Sequence, residues 1–193
     1  LLEPEAREAM RLLSIFPGGF TADAAAHLVD VGVLEELADQ SLLKVSDTPF
    51  GARFHMLETV REFSAATRDT ERAIAGMLAW VREFGIAHHG VVFGRTPGAA
   101  AARTRLEQDN LVQALRYGLA EEAGEAVAAA TSALGGLWLV ESNFTRTVTL
   151  MQDTGWLLSH VRPTPEFEDV LRTALTLSTT YGFIIKGPKA SRS

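Results

Sequence analysis

The chain has 193 residues, 18 Lys and Arg against 24 Asp and Glu, a net charge of −6 and 47% hydrophobic residues, the composition of a folded chain long enough to bury a core in one domain or two small ones. It has no cysteine, which excludes disulfides, thiolate zinc sites, iron–sulfur clusters and cysteine nucleophiles. No apolar run approaches the roughly 18 residues of a membrane span and the N-terminus lacks the regions of a signal peptide, so a cytoplasmic protein without a membrane partner is expected, and a start at Leu1 inside amphipathic sequence reads as a piece of a longer protein.

Gly and Pro break the first seventy residues into short pieces, and long Ala- and Leu-rich stretches follow, with the boundary near Asp69. Over 5–15, Ala6, Ala9, Met10 and Leu13 recur at steps of three and four and mark one face of a helix that Pro17-Gly18-Gly19 ends. Thr21 is placed to cap a second helix through Leu28, its hydroxyl accepting an early backbone N–H. A third, over 33–40, sets Leu34, Leu37 and Ala38 against Glu35, Glu36 and Asp39. Two extended segments, 42–45 and 53–56, flank a turn-rich stretch and predict a β-hairpin. Residues 57–67 return to helical spacing, with Phe63 expected to face the core. Helix, helix, helix, hairpin, helix is the order of a winged helix, assigned to residues 1–69.

Residues 70–193 are expected to form a helical domain from segments 70–91, 104–120, 122–140, 144–161 and 165–183. The stretch 94–98 reads as a loop, and Pro165 suits the first turn of its helix. Helix starts recur about 40 residues apart, near the 34 to 47 residue periods of tetratricopeptide-like and related arrays, with an irregular helical bundle as the alternative. The fold class is therefore mainly α, a winged helix with a small hairpin followed by a helical, repeat-like array.

Nothing argues for catalysis. No glycine cluster is followed by Lys and Ser or Thr, as a phosphate loop requires. No serine lies in a Gly-x-Ser-x-Gly elbow. The histidines His27, His55, His88, His89 and His160 lack the spacing of a helix-borne metal site, so no catalytic residue, metal or cofactor is assigned to this chain. Nor does charge favour DNA, whose binding rests on Lys and Arg. Residues 1–69 hold six basic side chains against twelve acidic ones, and the third helix offers Glu35, Glu36 and Asp39 where a base-reading helix would offer Arg, Lys, Asn or Gln. The wing contributes at most Lys44 and Arg53. Direct nucleic-acid contact is not expected, and Glu35, Glu36 and Asp39 are read as a protein-contacting surface.

The segment Leu12-Leu13-Ser14-Ile15-Phe16-Pro17-Gly18-Gly19-Phe20-Thr21 resembles a signature of bacterial STAND-type ATPase regulators of the SARP and LuxR-like kinds. The likeness continues through 34–43, through Phe54-His55-Met56 and the residues up to Phe63, and through Leu106-Glu107-Gln108-Asp109-Asn110 to Leu115, covering about the first 120 residues. It implies an NB-ARC-like ATPase domain upstream of Leu1 on which the winged helix packs, followed by tetratricopeptide-like repeats that bind a protein or peptide effector. It also implies a nucleotide-sensing role for His55, whose other reading is an exposed strand histidine. Trp138, Phe144 and Trp156, with Tyr181, are candidate groove or core aromatics of the repeats, and Val91-Val92-Phe93 a candidate hinge. The alternative is a DNA-binding winged-helix transcription factor with a small-molecule-sensing helical domain, for which Arg68, Arg72, Arg103 and Arg105 would supply positive charge.

Overall fold

The computed structural model describes the backbone of residues 2–90 and 97–186, and side chains over the same residues as far as 180. Among these it is mainly helical, with one two-stranded antiparallel hairpin. It divides into two compact units, Leu1–Trp80 with Leu106–Ala114, and Val81–Arg105 with Leu115–Ser193. The candidate hinge Val91-Val92-Phe93 and the side chain of Tyr181 lie outside the described residues.

The first unit opens with α1 (Pro4–Leu13), which buries Ala6, Ala9, Met10, Leu12 and Leu13 on the face that the spacing predicts. Thr21 caps α2 (Ala22–Ala25) by accepting the Ala24 N–H at 3.2 Å. That helix is one turn long and stops well short of Leu28. In α3 (Val33–Asp39) Leu34 and Leu37 are buried. It closes without glycine: the N–H of Leu42 returns to the Leu37 carbonyl at 2.9 Å while Ser41 takes φ 59°, the left-handed closing residue of a Schellman turn.

Strands β1 (Leu43–Thr48) and β2 (Gly51–Met56) pair from Leu43 opposite Met56 to Thr48 opposite Gly51. Each is longer than the sequence predicts, because only Pro49 and Phe50 are needed to turn the chain. Then comes α4 (Glu58–Ala65), where Ser64 is buried and Phe63 is 80% exposed. The expectation that Phe63 faces the core is therefore corrected. A helix turns about 100° per residue, so the inward face set by Val60, Arg61 and Ser64 carries Phe63 off to the side.

The core of this unit is aromatic. Phe16 meets Trp80 edge-on at 5.5 Å and Phe20 at 5.8 Å, and Phe20 stacks on Phe54 at 5.9 Å. Phe16 and Phe20 are almost fully buried, which is worth roughly 1.5–3 kcal/mol each. Trp80 arrives on α5 (Thr70–His88), whose first residues belong to this unit and whose remainder belongs to the second.

The second unit is organised by α8 (Gly124–Val140), every residue of which from Ala126 to Trp138 is buried. A helix apolar on all sides has to be central. Its small residues admit close neighbours: a Cβ on Gly85 of α5 would stand 2.4 Å from that of Ala129. Helices α9 (Phe144–His160) and α10 (Glu168–Lys186), the latter entered through a 3-10 turn at Pro165–Phe167, pack on α8 and on each other. Where the sequence predicts one helix over 104–120 there are two, α6 (Pro97–Leu106) and α7 (Gln108–Ala120), parted at Glu107. The first begins inside the expected loop, with Pro97 at its first position, where a missing N–H costs nothing.

Candidate functional site

Two distant segments, the Gly18-Gly19 turn and the Leu106-Glu107 junction, converge on one side chain, Arg53. Strand β2 turns it inward, and it is 4% exposed. Its Nε and Nη2 donate to the Gly18 carbonyl at 3.1 and 2.9 Å, and Nη2 also reaches the carbonyls of Gly19 at 3.1 Å and Leu106 at 2.9 Å. Nη1 and Nη2 grip Glu107, at 2.5 Å to Oε1 and 3.1 Å to Oε2, the two-pronged geometry that suits guanidinium and carboxylate. Glu107 is 6% exposed.

Asn110, fully buried one turn along α7, closes the network. Its Nδ2 donates to the Gly19 carbonyl at 2.8 Å and to Glu107 Oε2 at 2.7 Å, and its Oδ1 accepts the Gly18 N–H at 3.1 Å. Arg53 and Asn110, both held by Glu107, satisfy the Gly18-Gly19 turn, which has no secondary structure of its own to do so. They also account for the break at Glu107, since the Leu106 carbonyl turns to Arg53. Only glycine fits at position 19: its φ is +74°, and a Cβ would lie 2.6 Å from both His55 Nδ1 and the Phe54 carbonyl oxygen.

His55 is thus half-buried against that turn and paired across the hairpin with Lys44. Burial first, then the charges of Arg53 and Lys44, hold its pKa below the usual 6.5. It stands as a neutral imidazole at pH 7. Arg53, expected to be available to DNA at the wing, is enclosed, which leaves Lys44 as the exposed cation of that pair.

On α3, Glu35 and Asp39 are exposed and Glu36 is half-buried, accepting from Gln40 Nε2 at 3.1 Å. Glu36 joins Glu3, Glu5 and Asp30 along a shallow cleft between the start of α1 and the approach to α3, and Glu8 extends the acidic lining. Arg72 meets this face, 3.9 Å from Glu8 and 3.4 Å from the Leu28 carbonyl. Arg68 donates to Ser14 Oγ at 3.1 Å, and Arg105 pairs with Glu141 at 2.6 Å. These arginines are thus engaged within the fold, Arg72 and Arg105 by carboxylates.

The aromatic candidates separate. Trp138 is 6% exposed beneath the Arg146 guanidinium, 5.7 Å from its ring, so of its two readings, groove or core, it takes the core one and leaves the interaction surface, because α8 is enclosed. Phe144 and Trp156 are 53% and 70% exposed on α9. Sequence reasoning missed the Arg53 network because Arg53 lies 34 residues from Gly19 on one side and 54 from Glu107 on the other. Glu107 and Asn110 at a spacing of three, inside a stretch already singled out, were the available signal.

Among the described residues, no cluster of three or more histidines or carboxylates is arranged to hold a metal ion, and no helix is long and apolar enough to cross a membrane. No protein family, curated protein or solved structure matches the chain.

Proposed function

We propose that the chain is a non-catalytic regulatory part of an ATP-dependent bacterial transcriptional regulator of the STAND kind. Its winged helix packs on a nucleotide-binding domain elsewhere in the same protein, and its later helices are a tetratricopeptide-like sensor or platform for a protein effector. The observation that carries this reading is the convergence on Arg53. The Phe-Pro-Gly-Gly turn and the Leu-Glu-Gln-Asp-Asn segment, separately short, are tied by one buried network through Arg53, the residue before Phe54-His55-Met56, which supports the resemblance. His55, held neutral on the edge of that network, is the nucleotide-sensing contact in this reading. Leu57 and Phe63, 59% and 80% exposed at α4, are apolar surface of the sort a partner covers. A two-state switch follows when nucleotide favours one docked arrangement over another, since only a difference in affinity moves such an equilibrium.

The acidic lining around α3 supports protein rather than DNA as the surface read. The test is titration of this chain against the upstream ATPase domain expressed separately, with ATP or ADP present. The reading predicts saturable binding that depends on the nucleotide and is weakened by Phe63→Ser. Absence of binding in both nucleotide states would refute it.

A further inference from the structure

The break between α6 and α7 is imposed from outside the helix. Residues 99–117 hold neither glycine nor proline, and Leu106, Glu107 and Gln108 are all good helix formers, yet one helix ends at Leu106 and the next starts at Gln108. The Leu111 N–H opens the new helix with a bond to the Glu107 carbonyl at 2.8 Å. One residue earlier the Leu106 carbonyl is drawn to Arg53 Nη2 at 2.9 Å, where a continuous helix would give it the Asn110 N–H. The same guanidinium grips the Glu107 carboxylate, and the Asn110 side chain is occupied by Glu107 and Gly19. The anchors of the break thus lie on β2 and on the Gly18-Gly19 turn.

We infer that residues 97–120 form a two-state joint, broken while Arg53 holds Leu106 and Glu107, and one continuous helix when it lets go. The physical reason is the fate of the Leu106 carbonyl. Without Arg53 it needs another donor, and the Asn110 N–H supplies one as soon as the two helices fuse. A buried ion pair suits such a clamp, because desolvation offsets much of its attraction, and what it fixes is the arrangement more than the stability. The coupling is reciprocal. Anything that draws the Gly18-Gly19 turn off α7 straightens the helix, and a partner that straightens the helix releases the turn together with His55, which is seated against Gly19. The joint does not depend on the regulatory reading above.

NMR of the full chain tests it through the scalar coupling across a hydrogen bond from the Asn110 N–H to the Leu106 carbonyl, the mark of the fused helix. The parent shows no such coupling. Arg53→Met with Glu107→Met removes the clamp without stranding a charge, and the coupling appears. Adding Gln108→Pro abolishes it, because proline is accepted at the first position of α7 and excluded from a helix interior. In the parent, Gln108→Pro alone leaves Tm within about 2 °C, against the loss of about 6–12 °C that an interior proline brings to a chain of this size. Arg53→Lys keeps a cation beside Glu107 without a second prong for Leu106, so it populates both forms and broadens the resonances of 105–111 by exchange. A folded R53M/E107M variant without the coupling overturns the inference, as do sharp, parent-like resonances in Arg53→Lys. So does a parent that already shows the coupling, or one that Gln108→Pro destabilises as an interior proline would.

Discussion

Glu107→Gln removes one charge from the Arg53 network with almost no change of volume. Arg53 would keep its bonds to the carbonyls of Gly18, Gly19 and Leu106, but its positive charge, 4% exposed, would have no counter-ion. Stripping a buried ion pair of one partner costs about 3–5 kcal/mol, and the three retained carbonyls place the expected loss near the lower end, about 3 kcal/mol. With a urea m-value of about 2 kcal/mol/M, that lowers the unfolding midpoint of the first unit by about 1.5 M. The assay is fluorescence of Trp80, which packs on Phe16 in the same unit, in a background where Trp138 and Trp156 are phenylalanine. Arg53→Met should cost at least as much, because it strands the Gly18 and Leu106 carbonyls together with the Glu107 carboxylate. The double variant should fall short of the sum by about 1–3 kcal/mol, the coupling of residues in one network. A Glu107→Gln midpoint within about 0.3 M of the parent would refute the reasoning, since it corresponds to under about 1 kcal/mol.

Gly19→Ala should cost about 3 kcal/mol or more in the same assay, from the left-handed backbone and the overlap with His55 and Phe54, whereas Gly98→Ala, which meets nothing within 4 Å, should be neutral or slightly stabilising. Ser41→Gly and Glu122→Gly, at φ 59° and 52°, should each stabilise by about 0.5–1 kcal/mol and raise Tm by about 1–4 °C in scanning calorimetry. His55, with its folded pKa below its unfolded value, binds protons more readily when unfolded. Its contribution to stability is complete above about pH 6.5 and is lost as pH falls from there through the folded pKa. Urea midpoints at descending pH should therefore drop more steeply for the parent than for His55→Gln. Glu125 behaves in the usual carboxylate sense. Burial pushes its pKa up, but hydrogen bonds from the Thr164 N–H and hydroxyl and from Arg82 outweigh this and hold it low, so its contribution is present above the ordinary Glu pKa and lost on acidification through the lowered one.

Local periodicity carried most of the fold. The buried stripe of α1, the Thr21 cap and the hairpin each depend on residues within a turn or two of one another, and each was legible. Illegible features were those set by distant partners. The division at Glu107 comes from a carbonyl turning to a side chain on β2, and helix propensity across 104–120 gives no sign of it. Three helices close on Ser41, Glu122 and Ser142 with positive φ, so the usual glycine marker is missing. Phe63 misled because its hydrophobicity outweighed its angular position. Of the candidate site, the acidic character of α3 was plain from composition, whereas Arg53 read as a wing cation until the fold enclosed it.

The central claim is that this winged helix contacts protein and not DNA, and a salt series with duplex DNA tests it most directly. Each phosphate neutralised by Lys or Arg contributes about −0.9 to the slope of log K against log salt. With Arg53 enclosed and the face around α3 acidic, the account predicts no saturable binding even at low salt. Saturable binding that weakens steeply as salt rises, and is lost on Lys44→Glu, would contradict it and make the wing a reader of DNA.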